Sequence, residues 1–395
     1  MPDKLRIALA QLNPTVGDIA GNLELLRGAR AQAAHEGADL VLASELFLTG
    51  YPPEDLILKP AFVQAARAGA EALAAETADG GPDVIFGLPW LAETGLHNAA
   101  AHVSGGAIRA LSYKRELPNY GVFDEKRVFQ AGPEPKPFPV KGIPIGVPIC
   151  EDIWFAPVAN SLRARGAKLL LVPNGSPFEP NKAEIRLSHA RARCKETGLA
   201  LVYVNQVGGQ DELVFDGGSF ALQGDGLPVA RLPRFQSALA LTQWELSGSG
   251  WRCSTQAPLP DLGEIEAAYC AIMLGVADYV RKNDFKTVRL GLSGGIDSAL
   301  VAALAVDALG AEHVRVAMLP SRYTSRESLE DAAAVAFALG LKLDEIGIEP
   351  AIAALNSSLA PAFTECKLDI TEENLQARVR GTLLMALSNK FGELL

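Results

Sequence analysis

Val288-Arg289-Leu290-Gly291-Leu292-Ser293-Gly294-Gly295-Ile296-Asp297-Ser298 decides how the second half of this 395-residue chain is read. It begins as an apolar strand, passes through a Ser/Gly turn and predicts a helix from about Ser298. Backbone N–H groups at such a turn face outward, and a phosphate is the partner they suit. The plainer reading is a turn that needs glycine for positive φ, with Ser293 as a helix cap. Strand before, helix after and an acid inside favour the nucleotide. A loop built to transfer a terminal phosphate ends in Gly-Lys-Ser/Thr, and that lysine is missing here.

Working outward, Glu264 to Asn283 predicts a helix, Val314 to Leu319 a strand and Ser325 to Leu339 a helix. This regular alternation predicts a doubly wound parallel sheet, with ligands beyond the carboxyl ends of its strands. Ser247 to Gly263 is rich in turn formers and lacks periodicity, so it predicts a linker between a first domain, 1–246, and a second, 264–395. The first domain also alternates. Leu5 to Ala10 and Leu40 to Ala43 predict strands, and Asn22 to Glu36, capped by Asn22, and Lys59 to Ala78 predict helices. Asp83 to Leu88, Asn98 to Val103, Ala107 to Tyr113 and Ile143 to Ile149 then follow as strands, several adjacent without helices. Helices over Pro157 to Arg165 and Lys182 to Thr197 flank buried strands over Leu169 to Val172 and Leu199 to Val204. The expectation is an α/β sandwich with hairpins in the middle.

Composition limits the function classes. Apolar residues make up 49% and charged residues 21%, the balance of a globular protein. A net charge of −10 argues against nucleic acid as a general partner. No stretch reads as a membrane span, and Met1-Pro2-Asp3-Lys4 runs into a strand without the regions of a signal peptide, so a cytoplasmic protein is expected. Cys150, Cys194, Cys253, Cys270 and Cys366 form no C-x-x-C pair, which predicts neither a disulfide framework nor a zinc site.

Three segments at strand ends each carry one reactive group: Ala43-Ser44-Glu45, Tyr113-Lys114-Arg115 and Ile149-Cys150-Glu151-Asp152. Carboxylate, ammonium and thiol are what amide hydrolysis through a thioester requires. Glu45 is the candidate base, Lys114 the candidate cation for the tetrahedral oxyanion, and Cys150 the candidate nucleophile. A helical turn after Cys150 would lower its thiol pKa. Taken singly, each has a plainer reading: a small buried hydrophobe, a solvated charge, a loop cap.

Together these residues resemble the Glu-Lys-Cys triad of the nitrilase superfamily, from about Lys4 to Gln243, which implies an α-β-β-α sandwich. Leu117-Pro118-Asn119-Tyr120-Gly121-Val122-Phe123-Asp124-Glu125 resembles the segment after the lysine in the glutaminase domains of glutamine-dependent NAD⁺ synthetases. That likeness implies glutamine contacts from Tyr120 and, in the Asn174 to Lys182 stretch, from Ser176 and Lys182, with Glu125 as a supporting glutamate.

Ser-Gly-Gly-Ile-Asp-Ser resembles the pyrophosphate loop of ATP pyrophosphatases, of the Rossmann-like adenine nucleotide α-hydrolase type. The resemblance implies ATP contacts from Gly291, Leu292, Ser293, Gly294, Gly295, Ile296, Asp297 and Ser298, with AMP passed to the substrate. Asp297 would then be a Mg²⁺ ligand, carboxylate oxygen being the hard donor that ion requires. Ile370 to Gly381 is similar to the same synthetases, which implies deamido-NAD⁺ against Asn374. The family resemblance further implies ammonia passed along a shielded path, a homo-oligomer, and a later Thr-Thr-Gly-Asn-Lys-Ser-Glu segment not found before Leu395. Its absence implies either a fragment of a longer protein or a chain that has lost its ligase activity; the function the resemblance implies is glutamine-dependent NAD⁺ synthesis, and a stand-alone amidase with a degenerate ligase remnant is the alternative.

Overall fold

In the strand Lys4–Gln11, Leu5, Ile7 and Leu9 point to one side and Ala8 and Ala10 to the other, and all five are buried. A strand buried on both faces must lie between two layers. The structure is a computed structural model that describes residues 3–248, 250–255, 262–364, 366–367 and 369–395. It divides into two units, Met1–Ala271 and Ile272–Leu395.

The first unit contains two large sheets. One has seven strands in the order Gly250–Cys253, Ala238–Ser247, Lys4–Gln11, Leu40–Leu42, Asp83–Ala92, Gly95–Ser104, Ala107–Tyr113. The other has six, in the order Pro228–Arg231, Phe220–Leu222, Ala200–Asn205, Leu169–Asn174, Ile143–Gly146, Phe138–Val140. Leu5, Ile7, Leu9 and Leu42 of the first sheet share a core with Ile145, Leu169, Leu171 and Val202 of the second. The opposite face of the first sheet packs on the helices Ile19–His35 and Pro60–Glu76 through Leu26, Ala33, Ala66 and Leu73. The opposite face of the second packs on Ala156–Ala164 and Lys182–Thr197 through Leu162, Leu187 and Ala190. Helix, sheet, sheet, helix is the expected sandwich. The adjacent strands over Asp83–Ala92, Gly95–Ser104 and Ala107–Tyr113 pair antiparallel, as the missing helices between them require.

Two local expectations change. The helix Ile19–His35 is capped by Asp18, whose Oδ1 accepts the Gly21 N–H at 2.8 Å. Asn22 is buried instead and donates to the Thr15 carbonyl at 2.8 Å and the Leu48 carbonyl at 3.2 Å. The expected linker begins as structure, because Gly250–Cys253 pairs with Ala238–Ser247 and buries Trp251 and Cys253 in the inter-sheet core. Residues 256–261 of that linker lie outside the described residues.

In the second unit, Val288–Gly291, Val314–Met318 and Leu343–Glu345 form a parallel sheet in sequence order. The last of these strands and the helix Glu349–Leu359 escaped the sequence pattern. Leu394 bridges Val288 in parallel from the other side. The chain therefore leaves Val288–Gly291 toward neighbours on both sides, and the turn at Gly291 lies at a topological switch point. Arg289 braces this strand, pairing with Asp344 at 3.1 Å and with the buried Glu393. Among the described residues, no helix is long and apolar enough to cross a membrane.

Gly87 lies where the Asp83–Ala92 strand passes the Glu45 turn, and a Cβ there would sit 2.0 Å from the Leu46 nitrogen and 2.6 Å from the Glu45 carbonyl carbon. Both atoms are backbone, so no side-chain rotation relieves the clash. Gly87→Ala is expected to destabilise the first unit by about 3 kcal/mol, read as a lower denaturation midpoint with unchanged m-value.

Candidate active sites

Glu45, Lys114 and Cys150 arrive from three chain segments and are all buried. Lys114 Nζ donates to Glu45 Oε1 at 2.6 Å and to Glu125 Oε1 at 2.7 Å. Burial disfavours the lysine's charge, but the carboxylates of Glu125 and Glu45 outweigh it and hold the ammonium well above its ordinary pKa. Glu45 Oε1 also accepts from Asn98 Nδ2 at 2.8 Å, and Oε2 accepts the Gly175 N–H at 2.9 Å. Glu45 thus accepts three hydrogen bonds through its two oxygens. Glu125 Oε1 accepts Tyr51 OH at 2.9 Å, and burial pushes the Glu125 carboxyl up.

Cys150 opens a four-residue 3₁₀ turn, Cys150–Ile153, with φ at +46°. Non-glycine residues rarely hold that conformation, and it persists only where the surroundings fix it. The expected lowering of the thiol pKa is reversed. Burial and then the Glu45 carboxylate push it well up, against the pull of Lys114, and one short turn does not compensate. The Cys150 thiol is therefore held toward its neutral form.

The residues expected around glutamine gather beside this triad. Tyr120 is about half exposed, 49%, and its OH donates to Glu151 at 3.1 Å. Lys182 is buried at the start of its helix, 3.2 Å from Glu179 and with Nζ 5.2 Å from the centre of the Trp154 ring. Ser176 follows Gly175, and Asn205 pins its backbone, accepting its N–H at 2.9 Å and donating to its carbonyl at 3.0 Å. Sequence reasoning missed Tyr51, Asn98 and Glu151. The signal for Asn98 was a lone amide inside the apolar strand Gly95–Ser104, where a buried polar group needs a partner.

In the second unit the helix after the phosphate turn begins earlier than expected, at Ile296, so Asp297 and Ser298 occupy its first turn. The cap residue is Gly295, while Ser293 Oγ accepts the Gly295 N–H at 3.3 Å and Ser298 Oγ donates to the Gly295 carbonyl at 2.9 Å. Gly294 has φ +84°, and a Cβ on it would sit 2.2 Å from the Ser328 carbonyl oxygen. Gly291, Leu292 and Ser293 line a cavity of about 340 Å³ with Pro320, Thr324 and Arg380. Thr324 and Arg380 also line a second cavity of about 550 Å³, with Arg322, Glu373 and Gln376.

Asn374 is not among the residues lining either cavity. It is exposed on the helix Ile370–Phe391, whose stripe Glu372, Glu373, Gln376 and Arg380 faces the larger one. Arg380 was also missed. Its Nε donates to the Leu319 carbonyl at 3.0 Å, and among the described residues no carboxylate pairs with it.

Comparison with known proteins accounts for both halves. The carbon-nitrogen hydrolase family model matches residues 6–250, and the NAD synthase model matches residues 268–395. The glutamine-dependent NAD(+) synthetase of Rhodobacter capsulatus is 48% identical over 395 residues, all of this chain and 71% of that protein. The structure of glutamine-dependent NAD⁺ synthetase from Acinetobacter baumannii in complex with ADP superposes with a TM-score of 0.93 at 39% identity, covering 99% of this chain and 73% of that one. A mutant of the Nesterenkonia AN1 amidase from the nitrilase superfamily matches with a TM-score of 0.53 at 31% identity, over 60% of this chain and 89% of that one. A hydrolase half and a synthase half in one chain, matched from end to end, make this protein a member of the glutamine-dependent NAD⁺ synthetases, ligases that form a C–N bond with glutamine as nitrogen donor.

Proposed function

We propose that Cys150, Glu45 and Lys114 hydrolyse glutamine and that Gly291 to Ser298 hold the pyrophosphate of ATP while deamido-NAD⁺ is adenylated. One observation carries the first half: the ammonium of Lys114, fully buried, is gripped by two carboxylates beside a thiol held at positive φ.

Glu45 takes the proton of the neutral Cys150 thiol as sulfur attacks the amide carbon. Lys114 has three N–H bonds and spends two on Glu45 and Glu125, so the third is free to meet the oxyanion. Glu45 then passes the proton to the leaving nitrogen, and ammonia departs. Water, activated by the same carboxylate, frees glutamate from the thioester. Tyr120, Ser176 and Lys182 bind the amino-acid end of glutamine, with Lys182 the natural partner of a carboxylate and Glu151 accepting the Tyr120 hydroxyl. Glu125 keeps Lys114 charged and in place.

In the second unit the N–H groups of the glycine turn and the first helical turn receive phosphate oxygens. Asp297 is exposed in that first turn, and one carboxylate completed by phosphate oxygens and water suits the Mg²⁺ that accompanies ATP. ATP adenylates the nicotinate carboxylate of deamido-NAD⁺, releasing diphosphate, and ammonia displaces AMP to give NAD⁺. Arg380, shared by the two cavities and without a carboxylate partner among the described residues, suits the anions of these substrates. Asn374 remains assigned to deamido-NAD⁺ by sequence likeness alone. We place the hydrolase domain border after Cys253 rather than at 246, because the strand Gly250–Cys253 completes its sheet. A cytoplasmic homo-oligomer is part of the proposal, to be read by sedimentation.

The decisive assay supplies glutamine, ATP, Mg²⁺ and deamido-NAD⁺ and follows glutamate and NAD⁺ together. Cys150→Ala is expected to abolish glutamate formation; normal glutaminase in that variant overturns the nucleophile assignment. Gly294→Ala, which drives a Cβ into the Ser328 carbonyl, is expected to abolish NAD⁺ formation and leave glutamate formation intact. Lys114→Met leaves Glu45 and Glu125 buried without their counter-charge, so we expect loss of activity together with roughly 3–5 kcal/mol of stability, measured by denaturant titration.

A further inference from the structure

Asp152 is buried two residues beyond the nucleophile, and no step above uses it. Its carboxylate spans two chain segments. Oδ1 accepts the backbone N–H of Arg115 at 3.0 Å and of Glu116 at 2.8 Å, and Oδ2 accepts the N–H of Ile149 at 2.9 Å. Arg115 directly follows Lys114, and Ile149 directly precedes Cys150.

We propose that Asp152 is a positioning residue for glutamine hydrolysis, one that fixes the Lys114 ammonium relative to the Cys150 thiol by clamping the peptide groups that flank both. The proposal rests on the roles assigned to those two residues.

Three features of the clamp favour this over a merely structural buried acid. The first is valence. Three N–H groups converge on two oxygens, and a carboxylate offers acceptors at both ends with no donor of its own. An asparagine of the same shape would turn an NH₂ group against at least one of those N–H groups.

The second is location. Glu45 and Glu125 hold the Lys114 side chain, but those bonds tie the ammonium to the carboxylates and leave the thiol to its own segment. The Lys114 backbone is fixed on its far side, its N–H donating to the Asn98 carbonyl at 2.8 Å and its carbonyl accepting the Gly132 N–H at 2.8 Å. Asp152 supplies the link toward Cys150. Upstream, Ser112 Oγ donates to the Val147 carbonyl at 2.6 Å and joins the same two chain segments.

The third is strain. Cys150 sits at φ +46°, and Asp152 grips its approach from two directions: the side chain takes the Ile149 N–H, and the Asp152 N–H returns to the Ile149 carbonyl at 3.0 Å. Such an acid carries an electrostatic cost, since burial pushes its pKa up to about 7.

The test compares Asp152→Asn with the parent chain under glutamine, counting active sites by alkylation of Cys150. We expect kcat per titrated thiol to fall roughly tenfold to a hundredfold, the scale set by small misplacements of reacting groups, with KM for glutamine little changed. Iodoacetamide should modify Cys150 more slowly, while the exposed Cys366, followed by mass spectrometry in the same sample, keeps its rate. A variant that melts at lower temperature but keeps its kcat per thiol and its Cys150 alkylation rate overturns the proposal. If the asparagine variant does not fold, Asp152→Glu decides: it keeps the charge and both acceptors but displaces them by one methylene. Reduced kcat per thiol in folded Asp152→Glu supports the clamp, and parental kcat overturns it. Failure of the catalytic assignment itself shows differently, as glutaminase surviving in Cys150→Ala.

Discussion

The buried contact of the Lys114 ammonium with Glu45 and Glu125 is the constraint from which the first unit's chemistry follows. An isolated ammonium at this depth would lose its proton, and two carboxylates this close would not both stay ionised. The Lys114 ammonium keeps its charge through the two carboxylates, while burial still pushes the Glu125 carboxyl up. Their partners therefore cannot be freely exchanged: Asn98, Tyr51 and the Gly175 N–H supply the remaining hydrogen bonds. The α-β-β-α sandwich is what brings these donors to one place, since they come from widely separated segments of the chain.

That electrostatic arrangement also explains why the thiol rests neutral. The Glu45 and Glu125 carboxylates lie close enough to oppose a thiolate. A permanently ionised nucleophile would need a stronger positive field, and Lys114 already divides its charge between two glutamates. In the proposed mechanism, proton removal concurrent with attack resolves the conflict, because the negative charge passes from sulfur to an oxyanion that Lys114 can meet. The backbone strain at Cys150 belongs to the same logic. A thiol that does not carry charge at rest gains its reactivity from placement.

Much of this was legible before the structure, for identifiable reasons. Apolar strands ending in single reactive residues exposed Glu45, Lys114 and Cys150, and alternation of strand and helix around the glycine turn exposed the parallel sheet. What stayed hidden depended on contacts distant in sequence. Asp18 and Asn22 are both good cap residues, and only the packing of Asn22 between the Thr15 and Leu48 carbonyls decides for Asp18. Trp251 and Cys253 sit in a turn-rich stretch whose pairing with Ala238–Ser247 no local pattern signals. Asn374 is one residue from Glu373 on the same helix, yet a rotation of about 100° per residue separates the stripe that meets the cavity from the face that does not.

The two units handle anions by opposite means, and their chemistry requires it. In the proposed mechanism glutamine brings an uncharged amide to Cys150, so the first site can bury its fixed charges. ATP brings its own charge, and in the proposed reaction its pyrophosphate must leave after each turnover. A site of buried lysines would hold that product. In the role proposed for it, the turn Gly291 to Ser298 offers instead backbone dipoles, serine hydroxyls and one exposed carboxylate, partners suited to orienting and releasing phosphate. Gly294 is fixed by this choice. Backbone N–H groups can reach phosphate only where the chain turns through positive φ against the Ser328 carbonyl, and no side chain fits between them.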